Sequence, residues 1–270
     1  MKTKLGRQES MFLAYVQMRK LRVVRTGDLT GPLQLRPEQE RELFRRMARG
    51  RLIARVKPGV YLVPPQLPLG GTWSPSETLA LNTLMEDRQG RYQICGPNAF
   101  NRYGFDPQVP NRLYVYNNRL SGARSIGLIE LTLIKVDDRR LGDTEEDTMA
   151  DGGKLVYSSR VRTLVDSVYD WARFNSLPRG YSWIRSDIAA KRVSLDELMR
   201  ATLKYGDIGA IRRIGFLLDQ EGATASQLRK LERALRPSTS LIPWIPRLPK
   251  RGRVNRRWGI VQNDGGLDRP

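Results

Sequence analysis

Pro37-Glu-Gln-Glu-Arg-Glu-Leu-Phe-Arg-Arg-Met-Ala-Arg49, closed by Gly50 and followed by Leu52-Ile-Ala-Arg-Val-Lys-Pro-Gly-Val-Tyr-Leu-Val63, is the stretch on which the fold of this 270-residue chain turns. Proline suits a first helical position because its φ is preset and the N–H it lacks has no intrahelical partner there. In the helix it opens, Leu43, Phe44 and Met47 fall on one side, while Arg41, Arg45 and Arg49 recur every four residues on another. Gly50 suits the C-cap. The residues after it read as two short strands around a Pro58-Gly59 turn, since proline presets the first turn position and glycine accepts positive φ at the second.

Upstream, Met11, Phe12, Tyr15, Val16 and Met18 predict a first helix over 9–20 with one buried stripe. Thr26 is a plausible N-cap for a short second helix that Gly31 and Pro32 would end. Three helices and a hairpin make a winged helix-turn-helix, in which the third helix enters the major groove and the hairpin wing lies along the backbone. Arg36, Arg41, Arg45, Arg46 and Arg49 would then face DNA, with Arg55 and Lys57 on phosphates. The competing reading is a solvated helix surface, because Glu38 and Glu42 stand within one turn of Arg41, Arg45 and Arg46 and can pair with them.

Charge supports the first reading by its distribution. The chain has 47 Lys and Arg against 28 Asp and Glu, a formal +19. Residues 1–65 carry fifteen against five, residues 236–270 eight against two, and the long middle is close to neutral. Two basic ends on a near-neutral body point to localised contact with a polyanion, double-stranded DNA above all. With no histidine and the single cysteine Cys95, histidine-based catalysis, disulfides and thiolate clusters are excluded. The chain is expected to be cytoplasmic, with no membrane contact, no metal, no cofactor and no catalytic residue. The acidic residues Asp137, Asp138, Glu145, Glu146, Asp147 and Asp151 read as an exposed loop, not a nuclease centre. Cys95 reads as a small buried side chain.

In the body, Ser74-Pro-Ser-Glu77 predicts a capped helix with Leu79, Ala80 and Leu84. Tyr92–Cys95, Leu113–Tyr116 and Ile129–Val136 predict strands, with a helix from Pro97 to Gly104 between the first two. After about residue 157 the pattern turns helical. Val161, Leu164, Val165, Val168 and Ala172 share one face, and Arg162 and Asp166 are expected opposite it as an intrahelical pair. Capping boxes at Ser194–Glu197 and Thr224–Gln227 head helices built on Leu195, Leu198 and Met199, and on Leu228, Leu231 and Leu235. From Pro243 to Trp258, prolines and tryptophans alternate with basic residues including Arg251, Arg253, Arg256 and Arg257. This predicts an extended arm pinned by Trp244 and Trp258, either a strap or a second DNA-contacting surface. The fold class is α+β: a winged helix-turn-helix over 1–68, then a domain over 69–270 that is first mixed and then helical.

Four stretches carry a family resemblance: Asp28-Leu29 through Tyr61, Ile94-Cys-Gly-Pro-Asn-Ala-Phe-Asn-Arg-Tyr-Gly-Phe105, Ser159-Arg-Val-Arg-Thr-Leu-Val-Asp166, and Val254-Asn-Arg-Arg-Trp-Gly-Ile-Val-Gln-Asn263. Their order and spacing resemble the AbiEi-type antitoxins, bacterial transcriptional regulators of type IV toxin–antitoxin and phage-defence operons. The resemblance implies an N-terminal domain that binds inverted repeats in its own promoter and represses the operon. It also implies a C-terminal domain that contributes to DNA binding and carries the antitoxin activity, with the Arg-Thr-Leu-Val-Asp stretch anchoring that domain or lying on its antitoxin surface. The partner in function would be a nucleotidyltransferase-like toxin, opposed without a stable complex. The alternatives are a winged helix that binds and neutralises a toxin directly, and a transcriptional regulator without an antitoxin role.

Overall fold

The computed structural model describes residues 5–66, 72–236 and 238–265. In chain order the elements are α1 (Arg7–Met18), β1 (Val23–Arg25), α2 (Pro37–Arg49), β2 (Ala54–Lys57), β3 (Val60–Leu62), α3 (Glu77–Asp87), β4 (Tyr92–Ile94), α4 (Pro97–Arg102), β5 (Leu113–Asn117), β6 (Gly122–Ile126) and β7 (Ile129–Lys135). After a 3₁₀ turn at Asp138–Arg140 come β8 (Thr144–Thr148), β9 (Lys154–Ser158), α5 (Arg160–Tyr169), α6 (Trp171–Phe174), α7 (Arg179–Ala189), α8 (Leu195–Tyr205), α9 (Ile208–Gln220) and α10 (Ala225–Ala234). Strands β10 (Ile242–Pro243), β11 (Arg253–Asn255) and β12 (Ile260–Gln262) close the chain. The class is α+β.

Two compact units divide the chain, one of residues 1–93, 111–141 and 146–156, the other of 94–110, 142–145 and 157–270. The expected boundary between residues 68 and 69 lies outside the described residues, and the first unit holds residues on both sides of it.

In the first unit, α1 and α2 pack over a three-stranded sheet of order β1-β3-β2. Phe12, Val24, Leu43 and Phe44 are fully buried between them, with Phe44 stacked on Tyr61 at 4.6 Å. The Pro58-Gly59 turn joins β2 to β3, and Gly59 at φ +81° supplies the positive dihedral it requires. Gly50 is the C-cap of α2, but the left-handed residue is Arg51 at φ +55°.

Two local expectations fail here. Met11 and Met18 are 43% and 72% exposed, and the buried stripe of α1 is Phe12, Leu13 and Val16. The expected helix after Thr26 is a run of turns over 26–34, with Asp28 capping the amide of Arg25 at 2.6 Å. The same unit carries strands of a second sheet, of order β6-β7-β5-β4-β9-β8, in which β5 and β7 run parallel and β6 and β7 antiparallel. Helix α3 begins two residues later than expected. Its N-cap is Ser76, which accepts from the amide of Leu79, whereas Ser74 accepts from the amide of Leu128. Glu145, Glu146 and Asp147, expected in a loop, lie on β8 at the edge of that sheet. Charge on an edge strand deters pairing with another chain.

The second unit is a helical core built on Leu164, Val165, Ile184, Leu198, Ile214 and Leu217. Both capping boxes form as expected, at Ser194–Glu197 and Thr224–Gln227. Arg162 and Asp166 are corrected: they lie buried inside the unit, not on a face opposite the core. The arm after residue 240 is a small sheet of order β10-β12-β11, pinned by Trp244 and Trp258, which are 1% and 0% exposed. Gly215 sits on α9 where a Cβ would meet the Trp258 ring at 2.2 Å, so only glycine lets the indole close on the helix.

Candidate nucleic-acid interface

Helix α2 is positioned from both ends. Its N-cap residue Arg36 donates its backbone N–H to the Gln39 side chain at 2.9 Å, and Pro37 opens the first turn. Glu40 is fully buried. Its carboxylate accepts from the amides of Gly27 at 2.7 Å and Leu29 at 2.8 Å, fastening the 26–34 turns to the helix. These turns hold their shape through that carboxylate, which is why local helix signals misread them. The signal for Glu40 was available: with Leu43, Phe44 and Met47 it completes the 3.6-residue stripe of the buried face.

The opposite face is cationic and outward. Arg41 and Arg45 have side chains 60% and 64% exposed, each in an ion pair along the helix, Arg41 with Glu38 at 3.0 Å and Arg45 with Glu42 at 2.7 Å. Arg46 reaches across to Glu9 of α1 at 3.0 Å, so it ties the two helices together. Arg36, Arg49 and Arg55 are exposed, and among the described residues none of them is in an ion pair. Exposed pairs of this type are worth between zero and about 1 kcal/mol, so a phosphate can replace the carboxylate at little cost. Lys57 differs. It is 25% exposed, with Nζ on Asp87 of α3, and Arg25 binds the same carboxylate at 2.9 Å. Both cations hold the Asp87 carboxyl below its ordinary range, Lys57 foremost, against the opposing effect of burial. Lys57 is thus committed to seating the wing on α3.

At the other basic end, Arg251, Arg253 and Arg256 are exposed. Arg253 and Arg256 line an open groove of about 550 Å³ with Asn255 and Gln220. Arg257 is bound to Asp219 at 3.0 Å and to Glu232, which raise its pKa. Asn263 organises the adjoining loop: its amide donates to the carbonyls of Ile245, Leu248 and Pro249, and its Oδ1 accepts from the amide of Ile245. Beneath the arm lie two nearly buried arginines of α9. Arg212 donates to the Ser240 carbonyl at 2.9 Å and Arg213 to that of Pro243 at 3.3 Å. Burial lowers the Arg213 pKa.

Stretches 94–105 and 159–166 meet within the second unit. Arg160 binds Asp187 at 2.7 Å, donates to the Tyr103 carbonyl at 3.0 Å and lies over the rings of Tyr103 and Phe105. Arg162 bonds both oxygens of Asp166 at 2.9 Å and stacks on Tyr205 at 3.9 Å. Cys95 is buried. Among the described residues no group of three or more Cys, Asp or Glu is placed to hold a metal ion, and no helix is long and apolar enough to cross a membrane.

No protein-family model and no curated protein sequence matches the chain. A solved structure does: the RV2827C protein from Mycobacterium tuberculosis superposes with a TM-score of 0.60 at 16% identity, over 95% of this chain and 92% of that one. At that identity the likeness is one of fold.

Proposed function

We propose that the chain is a DNA-binding repressor of its own operon and the antitoxin of a type IV toxin–antitoxin system, acting in the cytoplasm. Residues 1–68 are the DNA-binding domain and 69–270 the antitoxin domain. The observation that carries the DNA reading is the outward arginine face of α2 beside the hairpin of β2 and β3. In this reading α1, the 26–34 turns, α2 and the hairpin are a winged helix-turn-helix whose middle helix is reduced to turns. Arg41, Arg45 and Arg49 enter the major groove, while Arg36 and Arg55 meet phosphates. Arg46 contributes by bracing α2, and Lys57 by seating the wing. Arg251, Arg253 and Arg256 add backbone contacts that carry no sequence choice, with Arg257 holding the arm in place.

Repression follows from occupancy of the promoter and needs no covalent chemistry. With about six phosphate contacts, the logarithm of affinity falls with the logarithm of salt at a slope near −5. A gel-shift titration on DNA upstream of the chain's own gene tests this, and equal binding to unrelated DNA at every salt concentration overturns it. The antitoxin role rests on the sequence resemblance. Its test is co-expression with the neighbouring gene: growth restored, without co-purification, supports an antitoxin that acts apart from a nucleotidyltransferase-like toxin. Co-purification at moderate salt points instead to direct neutralisation.

A further inference from the structure

Helix α10 has an outer face that the core does not use. Its inner stripe, Leu228 and Leu231, is 1% and 0% exposed within the helical core. Thr224 caps its start, accepting from the amide of Gln227. Arg229, Lys230 and Arg233 are exposed on the other side, and Arg236, also exposed, follows just beyond the last turn. Among the described residues none of these four side chains is in an ion pair.

The acids beside this face are already spent. From residue 225 to 263 the chain carries ten Lys and Arg and one carboxylate, Glu232. Glu232 binds Arg257 of the arm, and Arg257 also takes Asp219 of α9 at 3.0 Å. The second oxygen of Asp219 accepts from the Trp258 indole at 2.9 Å. Arg257 therefore staples the arm to α9 and α10 and occupies both carboxylates, while the cations of α10, with Arg253 and Arg256 on the arm, keep their charge. Arg233 in the last turn also suits the negative end of the helix, but Arg229 and Lys230 lie too far from that end to serve it.

The surroundings specify the partner's chemistry. Among the described residues the exposed side of α10 carries no large apolar side chain. A lipid surface requires an exposed apolar face, and a protein interface an apolar centre, whereas a row of phosphates requires only cations. Arg229 and Arg233 stand one turn apart, about 6 Å along the helix, so both can meet one backbone. The amides that could read base edges are engaged: Gln227 accepts from the Thr224 amide at 3.0 Å and Asn255 from the Trp258 amide at 3.1 Å.

We infer that the outer face of α10, continued by the arm, is a second DNA site that holds duplex by its phosphates, separately from α2 and without choosing sequence. The choice of duplex DNA as the polyanion rests on the DNA reading above.

Gel-shift titration of the full-length chain on the operator, on an unrelated DNA duplex and on an RNA duplex of equal length tests the inference. Arg229→Ala with Arg233→Ala should weaken binding to unrelated DNA at least tenfold, and its salt slope should become shallower by about 1.8, two phosphate contacts' worth. Arg229→Lys with Arg233→Lys should bind as the parent does, since charge suffices. Arg91→Ala with Lys135→Ala, which removes two exposed cations from the first unit, should change affinity less than twofold. The Arg45→Ala, Arg49→Ala variant should lose its preference for the operator yet retain salt-sensitive binding to both DNA duplexes, and adding the α10 pair should abolish that remainder. Parent-like binding by the α10 variant, an equal loss in both alanine pairs, or tighter binding to the RNA duplex overturns the inference. A parent chain with no operator preference defeats the repressor reading instead, and an α10 effect that persists there still supports this second site.

Discussion

Helices α2 and α5 each place an arginine one turn from a carboxylate, at almost the same distance, and the two pairs have little else in common. Arg45 and Glu42 meet at 2.7 Å with side chains 64% and 41% exposed. Arg162 and Asp166 meet at 2.9 Å with side chains 0% and 1% exposed. In water the first attraction is weak, screened by salt and offset by side-chain entropy. In the interior the second is strong, because neither charge has solvent to fall back on. A guanidinium on α2 is therefore available to a new anion, whereas the one on α5 is part of the framework. Both are one-turn arginine–carboxylate pairs, i,i+3 on α2 and i,i+4 on α5, and what sets their energies apart is burial.

The largest effect should come from separating the buried pair. Asp166→Ala leaves the Arg162 charge uncompensated in the core, and should cost about 3–5 kcal/mol in urea unfolding. A loss below about 1 kcal/mol would put Arg162 in contact with water and remove the contrast between the helices. Arg45→Ala, by comparison, should change stability by less than about 1 kcal/mol while weakening the gel shift strongly. A gel shift untouched by Arg45→Ala and Arg49→Ala together means that another face meets DNA.

Next in size is a buried charge on α2 itself. Glu40→Ala strips the amides of Gly27 and Leu29 of their shared acceptor, and should cost about 2–3 kcal/mol. Glu40→Gln, which keeps one acceptor oxygen, should recover part of it. If both variants unfold like the parent, water can replace the carboxylate and the 26–34 turns need no tether.

Glu40 also marks where sequence reading runs out. Helix α2 and its hairpin were legible because Leu43, Phe44 and Met47 repeat at helical spacing and Pro58-Gly59 announces its turn. The arginines of the face were legible for the same reason. Glu40 was marked by its place in the stripe yet, like Arg162 and Asp166, was passed over, since amphipathic reasoning assigns every charge to solvent; Glu40 is satisfied by the amides of Gly27 and Leu29, and the Arg162–Asp166 pair is held against the ring of Tyr205. The turns at 26–34 and strand β8 were missed because tertiary contacts hold them against weak local preference. The arm was half legible: Trp244 and Trp258 signalled anchoring, but nothing local to them announced Arg212 and Arg213 beneath.

A smaller effect distinguishes Lys57 from the free arginines through pH. The Asp87 carboxyl titrates below its ordinary value in the folded chain because Lys57 and Arg25 favour its charged form. The stability it contributes is present above the unfolded value near 3.8 and is lost as pH falls through the lower folded value. Asp87→Asn should therefore lower stability at neutral pH and converge with the parent in acid, read by unfolding between about pH 6 and pH 2.5. Curves that stay parallel to the acid end would mean that Lys57 is not committed to Asp87 and is as free for phosphate as Arg55.

The smallest change in stability carries the sharpest test of the face. Glu38→Ala with Glu42→Ala removes the carboxylates that occupy Arg41 and Arg45, and since both pairs are exposed, stability should move by less than about 0.5 kcal/mol. DNA affinity should rise, because two guanidinium groups lose their competitors and the helix gains two units of positive charge. The salt slope should steepen with it, as counterion release counts each cation that reaches a phosphate. Were the glutamates instead holding the arginines in the geometry that reads base edges, affinity for the operator would fall while affinity for unrelated DNA rose. A fall on both would leave α2 a solvated surface whose charges never face a duplex.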